Sequence, residues 1–290
     1  MNTIPDRTDT RALYLTLLKQ ALKNLPYLEN EWNPIQPRGR VRGVVLDGFR
    51  KFGIQLCHAR RSTVEERLRG LDFTSIAHTM VSMERLENLQ ACVEDVIRAD
   101  VPGDLIETGV LRGGSSILMR GILKAYGVTD RTVWLADSFE GLPPPDAEKY
   151  PADAGATWHL FLGGDVGVEE VRRNFDRYGL LDDQVRFLKG WFRDTLPTAP
   201  IEQLALIRLD GDLYESTMDG LVNLYPKLSV GGYLIIDDYN LEMCRQAVHD
   251  YRAKHGITEA IADIDGAGAF WKRAVGPLDR SSTEHEHVVV

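Results

Sequence analysis

The chain has 290 residues, 43% of them hydrophobic and 27% charged, with a formal net charge of -9. That mixture suits one large globular domain or two small ones. The acidic balance excludes a protein whose affinity comes from neutralising phosphates on nucleic acid or a membrane surface. Cys57, Cys92 and Cys244 are odd in number and far apart, which rules out a disulfide framework or a Cys-x-x-Cys metal knuckle and suits a reducing cytoplasm.

The opening stretch, MNTIPDRTDTRALYLTLLKQALKN, carries early acidic residues and a short amphipathic pattern, and no apolar run reaches membrane-spanning length. A soluble, cytoplasmic protein without an export signal is expected. Residues 1–100 contain helical stretches, among them SMERLENLQACVEDVIRAD with Met83, Leu86, Leu89, Cys92, Val93 and Val96 on one stripe, but no convincing strands. They are expected to form a helical extension that covers the active face of the next domain. The Pro-, Arg- and Gly-dense NPIQPRGRVRG is expected to be a mobile loop.

From about residue 105, short apolar runs alternate with helical patterns, the signature of βαβ units. DLIETG, TVWLAD, QVRFLKG, LALIRLD and GGYLIIDDY are the expected strands, interleaved with helices at SSILMRGILKAYG, VEEVRRNFDRYG and TMDGLVNLYPKL. A helix at CRQAVHDYRAKHG then leads to EAIADID and AFWKRA, whose connection is too short for a crossover and suits an antiparallel hairpin. The expectation is an α/β domain over 101–276 with a mostly parallel seven-stranded sheet, helices on both faces and one antiparallel strand near its edge. Residues 277–290, including SSTEHEHVVV, are expected to be a disordered tail.

LIETGVLRGGSS places Gly109, Gly113 and Gly114 where a strand turns into a helix, a position at which glycine lets the backbone approach a ligand. The spacing is not G-x-G-x-x-G, and Glu107 at the strand end disfavours a pyrophosphate and attracts a cation. S-adenosylmethionine, with a sulfonium, an ammonium and no phosphate, fits such a turn, and Asp137 at the end of WLADS stands where this architecture grips ribose hydroxyls. A plain tight turn with an ordinary strand-end Asp is the alternative.

LIRLDGDLYEST and YLIIDDY end on two pairs of carboxylates, Asp210 with Asp212 and Asp237 with Asp238. If the two strands are neighbours, about 4.8 Å apart, the four converge into an all-oxygen site suited to a hard ion such as Mg²⁺. The alternatives are caps for the following helices or ion pairs with Arg208 and Arg245. Asp212, on the face of Asp210 if the strand geometry persists, is the candidate general base.

The motifs LIETGVLRGG, VWLADSFEGLP, GWFRDTLPTAP, LDGDLYEST and IIDDY, with AHTMVSMERLENL upstream, together resemble the macrocin O-methyltransferase family over about residues 75–274. The resemblance implies a Rossmann-like class I methyltransferase fold and an S-adenosylmethionine- and Mg²⁺-dependent enzyme that methylates a sugar hydroxyl of a glycosylated natural product in antibiotic biosynthesis. Asp210, Asp237 and Asp238 match the family's metal ligands and Asp212 its base. Glu107, Gly109 and Ser115 match the cofactor turn, and Asp137 and Ser138 the ribose contacts. Thr79 and Met80 match a segment at the methionine end, and Trp191 the adenine side; core packing is the alternative for these three. The family further implies a homodimer or higher homo-oligomer with a small glycoside or sugar as substrate. Residues 31–69 look longer and differently composed than the family's lid region. A catechol-type O-methyltransferase is the neighbouring alternative. An NAD-dependent oxidoreductase and a non-catalytic metal-binding module are the alternatives from other classes.

Overall fold

The computed structural model describes residues 7–30, 32–35, 40–59, 62–72, 74, 76–160 and 166–274. The chain divides into two compact units, Met1–Met83 and Glu84–Val290. The expected disordered tail lies outside the described residues.

The first unit holds α1 (Arg7–Leu22), β1 (Trp32–Pro34), α2 (Arg40–Lys51), β2 (Cys57–Ala59) and α3 (Val64–Arg69). It contains strands that the sequence did not announce: β1 and β2 pair antiparallel from Trp32 opposite Ala59 to Pro34 opposite Cys57. At three residues each they are too short to show a period-two pattern. Part of the expected mobile loop, residues 36–39, lies outside the described residues, and from Arg40 onward the stretch is helix instead. Helix α3 starts with a reciprocal cap between Thr63 and Glu66 and stops at left-handed Gly70. Its buried Arg67 donates to Asp72 at 2.7 Å and to the Lys23 carbonyl at 2.7 Å.

The second unit continues through α4 (Met83–Arg98), β3 (Asp104–Thr108), α5 (Gly114–Tyr126), β4 (Val133–Asp137), α6 (Val168–Arg177), β5 (Val185–Lys189), α7 (Phe192–Thr195), β6 (Leu204–Leu209), α8 (Tyr214–Leu224), β7 (Leu228–Ile236), α9 (Glu242–His255), β8 (Ala262–Asp263) and β9 (Ala269–Lys272). The seven strands lie in the order β5-β4-β3-β6-β7-β9-β8. The sheet is mixed rather than mostly parallel: four pairings are parallel, and β9 runs antiparallel to both β7 and β8. The hairpin read from the short β8–β9 connection forms, although β8 shrinks to two residues.

From the central neighbours β3 and β6 the chain steps outward in opposite directions, to β4 through α5 and to β7 through α8. Right-handed crossovers therefore place α5 and α8 on opposite faces. Along β6 all six residues are buried, the pattern of a strand covered on both sides. One face joins Ile106, Ile207, Leu209, Leu234 and Ile236 to Leu221 and Leu224 of α8 and Val248 and Tyr251 of α9.

Trp271 closes this core from β9. It is 1% exposed, its Nε1–H donates to the Tyr225 hydroxyl at 3.1 Å, and the Arg252 guanidinium lies 4.6 Å from its ring centre. Trp271→Ala should destabilise the second unit by about 3–5 kcal/mol; a lower urea midpoint with unchanged slope is the expected reading.

Candidate functional site

The reversal of strand order between β3 and β6 opens a crevice at the carboxyl ends of the strands, the usual ligand position in such sheets. Parallel pairing sets Leu209 beside Ile236, so the residues that follow, Asp210 and Asp237, leave the sheet side by side. The backbone ladder even continues past the strands, with Asp210 N–H donating to the Thr108 carbonyl and Asp237 N–H to the Leu209 carbonyl, each at 2.9 Å.

Gly109 is required by this approach. Its φ is +79°, and a Cβ there would lie 1.6 Å from the Asp210 carbonyl oxygen. The turn then enters α5 through Gly113, with Ser115 buried in the first helical turn and Ser116 donating its hydroxyl to Glu107.

Beneath the carboxylates lies Arg208, 3% exposed. Its Nη1 pairs with Glu107 at 2.6 Å and Asp210 at 2.8 Å, and its Nη2 with Asp237 at 2.5 Å. Arg85 of α4 reaches the same Asp237 at 2.5 Å and Asp265 at 3.0 Å. Of the two ion-pairing partners considered from the sequence, Arg208 fills that part, whereas Arg245 pairs with Glu242. Helix capping is not the job of Asp210 or Asp212: the first amides of α8 are taken by Asp153, a fully buried carboxylate some sixty residues upstream.

Oxygens of Asp210, Asp237 and Asp238 lie within 4.8 Å of one another. Mg²⁺ with ligands at about 2.1 Å separates adjacent ligand oxygens by about 3 Å and opposite ones by about 4 Å, so a small contraction would seat it. The ion pairs do not block this, because each carboxylate offers about four lone-pair positions. Counting Glu107, Asp210, Asp212, Asp237, Asp238 and Asp265 against Arg85 and Arg208, the cluster carries a formal excess of four negative charges when fully ionised. That excess suits a divalent cation.

The expectation that Asp212 follows Asp210 by strand period fails, because β6 ends at Leu209. Asp212 takes φ +57°, and its N–H donates to Asp238 at 3.1 Å, so a sharp turn rather than an extended strand brings it to the cluster. Burial, with Asp210 and Asp237 nearby, pushes its carboxyl up to about 7. Burial and the neighbouring carboxylates also raise Asp210 and, further, Asp238. Glu107 rises to about 7, with burial outweighing its pairing to Arg208.

Asp137 accepts N–H bonds from Val110 and Phe139, each at 2.6 Å, and so joins the ends of β3 and β4. Ser138 donates to the Gly141 carbonyl at 2.7 Å and accepts from the Glu140 N–H at 3.0 Å. Trp191 follows Gly190, whose N–H donates to the Asp137 carbonyl at 2.9 Å, and it is half-buried beyond the end of β5. Thr79 and Met80 belong to the first unit. The Thr79 hydroxyl accepts from the Val81 N–H at 3.3 Å, and the Met80 carbonyl packs on Gly70. Sequence reasoning missed Arg85, Asp153, Ser116 and Asp265; an Arg on an otherwise amphipathic helix and single acidic residues in loops carry no local signal.

The family model Macrocin-O-methyltransferase (TylF) matches residues 11–273. Among curated relatives, a tetracenomycin-C 4'-O-methyltransferase of Streptomyces olivaceus, named for a dimethoxy-rhamnosyl compound, is 54% identical over 91% of this chain and 94% of its own. A mycinamicin III 3''-O-methyltransferase of Micromonospora griseorubida is 49% identical over 90% and 96%. A demethyldecarbamoylnovobiocin O-methyltransferase of Streptomyces niveus is 57% identical over 74% and 83%. The solved O-methyltransferase NovP superposes with a TM-score of 0.79 at 48% identity, over 91% of this chain and all of that one. The chain belongs to the macrocin O-methyltransferase family and is an S-adenosylmethionine-dependent O-methyltransferase. The match includes residues 31–69, which the sequence alone had set apart, and it overturns the oxidoreductase and non-catalytic alternatives.

Raised carboxyl values mean that the folded state binds more protons than the unfolded one between the ordinary carboxylate range and about pH 7, so stability falls as pH rises through that window. Metal-free protein should therefore melt higher at pH 6 than at pH 8, and a divalent cation should narrow the gap. A melting temperature that rises toward pH 8 in chelator would contradict the raised Glu107 and Asp212.

Proposed function

We propose that the enzyme methylates a hydroxyl of a deoxysugar on a glycosylated natural product, with Mg²⁺ held by Asp210, Asp237 and Asp238. The observation that carries the reading is the convergence of three carboxylates within 4.8 Å beside a fourth, Asp212, raised to about 7. The relatives support the acceptor class, since one is named for a rhamnosyl compound and two carry primed positions for the methylated oxygen.

The cation would supply Lewis acidity, lowering the pKa of a hydroxyl at the site, and S-adenosylmethionine supplies the methyl group. Asp212, poised near neutrality, takes the hydroxyl proton as the acceptor oxygen bonds the methyl carbon and the sulfur keeps the electron pair of the broken bond. Glu107, Gly109 and Ser115 would form the cofactor turn, with the negative strand end facing the cationic cofactor. Asp137 and Ser138 would meet the ribose, Trp191 the adenine, and Thr79 and Met80 the methionine end. The Ser138 hydroxyl keeps one lone pair for this beyond the N–H bond it accepts. Assembly as a homo-oligomer, a lid role for residues 1–100 and a cytoplasmic setting belong to the same proposal. Among the described residues no helix is long and apolar enough to cross a membrane.

Calorimetric titration of S-adenosylhomocysteine should give micromolar binding, about -8 kcal/mol, both with Mg²⁺ and in excess chelator. Asp212→Asn should keep that affinity while turnover of a glycoside acceptor falls by about a hundredfold or more; unchanged turnover would remove Asp212 as base. Asp238→Asn should instead raise the Mg²⁺ concentration needed for half-maximal rate. Methylation of catechols but not glycosides under the same conditions would transfer the site to the phenolic class.

A further inference from the structure

We propose that Asp153 is a positioning residue that holds the turn carrying Asp212. Leu213 N–H donates to the Gly211 carbonyl at 2.5 Å across Asp212, whose φ is +57°. That is the left-handed γ-turn, the rarer and more strained of the two γ-turn forms. A strained turn persists only where its surroundings over-determine it.

Two carboxylates do so here, one on each side. Asp238 accepts the Asp212 N–H at 3.1 Å. Asp153 accepts the Tyr214 N–H at 2.6 Å on one oxygen and the Glu215 N–H at 3.1 Å on the other. The residue before α8 is Leu213, whose side chain makes no capping bond, so the first amides of this eleven-residue helix depend on a carboxylate from elsewhere.

Asp153 reaches them from a single 3-10 turn, Pro151–Asp153, in the connection between β4 and α6. The turn packs against α8 and α9, and the Tyr150 and Tyr214 rings lie 5.9 Å apart beside it. Asp153 itself is 0% exposed, and both of its oxygens are spent on backbone N–H groups. Order in that connection is thereby coupled to the geometry of Asp212 and, through the Asp212 N–H, to Asp238. The chemical meaning of the clamp rests on the reading of Asp212 as base and Asp238 as cation ligand. The clamp itself does not.

The test uses the full chain in two arms. In metal-free protein, hydrogen exchange of amides 212–216 in Asp153→Ala should accelerate at least tenfold while α9 amides keep wild-type rates. Asp153→Asn, which retains one acceptor oxygen and keeps the test available if the alanine variant does not fold, should restore protection at one of the two helix amides. In the second arm, Mn²⁺ titrated and followed by electron paramagnetic resonance should bind Asp153→Ala at least fivefold more weakly, with S-adenosylhomocysteine affinity in chelator unchanged. Wild-type exchange at 212–216 in both variants would overturn the proposal, as would acceleration spread equally over α9 with loss of S-adenosylhomocysteine binding. Failure of wild-type protein to bind Mn²⁺ would instead overturn the metal reading, and the exchange arm would still decide the clamp.

Discussion

Everything at the carboxyl ends of the central strands depends on one buried guanidinium. Arg208 is the fifth of the six residues of a strand that is otherwise aliphatic, on the face opposite Ile207 and Leu209, and lies within ion-pair distance of Glu107, Asp210 and Asp237 at once. Burying a charge costs several kcal/mol unless partners surround it. Here three carboxylates from three neighbouring strands do so, and against burial, which opposes its charge, Asp237, Asp210 and Glu107 hold Arg208 well above its ordinary value. The same contacts fix the ends of β3, β6 and β7 relative to one another, so the position of the proposed cation site follows from the position of one side chain.

Around that centre the carboxylates divide into two kinds. Asp137, Asp153 and Asp238 accept backbone N–H groups and so shape the loops. Glu107, Asp210 and Asp237 meet guanidinium groups and so share charge. Asp238 is the one that belongs to both the loop framework and the proposed ligand set, because it takes the Asp212 amide while converging with Asp210 and Asp237.

The sequence disclosed what periodicity and residue type can carry. Strands β3 to β7 announced themselves as apolar runs, and the paired aspartates at the ends of two of them converge because those strands are neighbours. Local pattern could not reveal partners distant in the chain. Arg85 meets Asp237 across 152 residues and Asp265 across 180, and Asp153 caps a helix 61 residues away. The start of α8 at Tyr214, three residues earlier than TMDGLV suggests, has the same origin, since an imported cap lets a helix begin where its own sequence offers none. Strand periodicity also misplaced Asp212, because a left-handed turn resets the direction of every side chain after it.

Strand β9 inserts between β7 and β8, and the turn joining β8 to β9 supplies both Asp265 and the backbone of Gly268 on which the Arg85 stem rests. In time as well as in space, therefore, the site is completed last. During synthesis β7 emerges with an open edge, and the carboxylate that anchors Arg85 arrives some thirty residues later, so the nascent chain carries its aspartates before their surroundings exist. A chain cut just upstream of Asp265 would keep Arg208 and its three carboxylate partners but lose β9, the Trp271 that closes the core, and one of the two carboxylates on Arg85. The aspartates are thus made before the last strand that packs beside them.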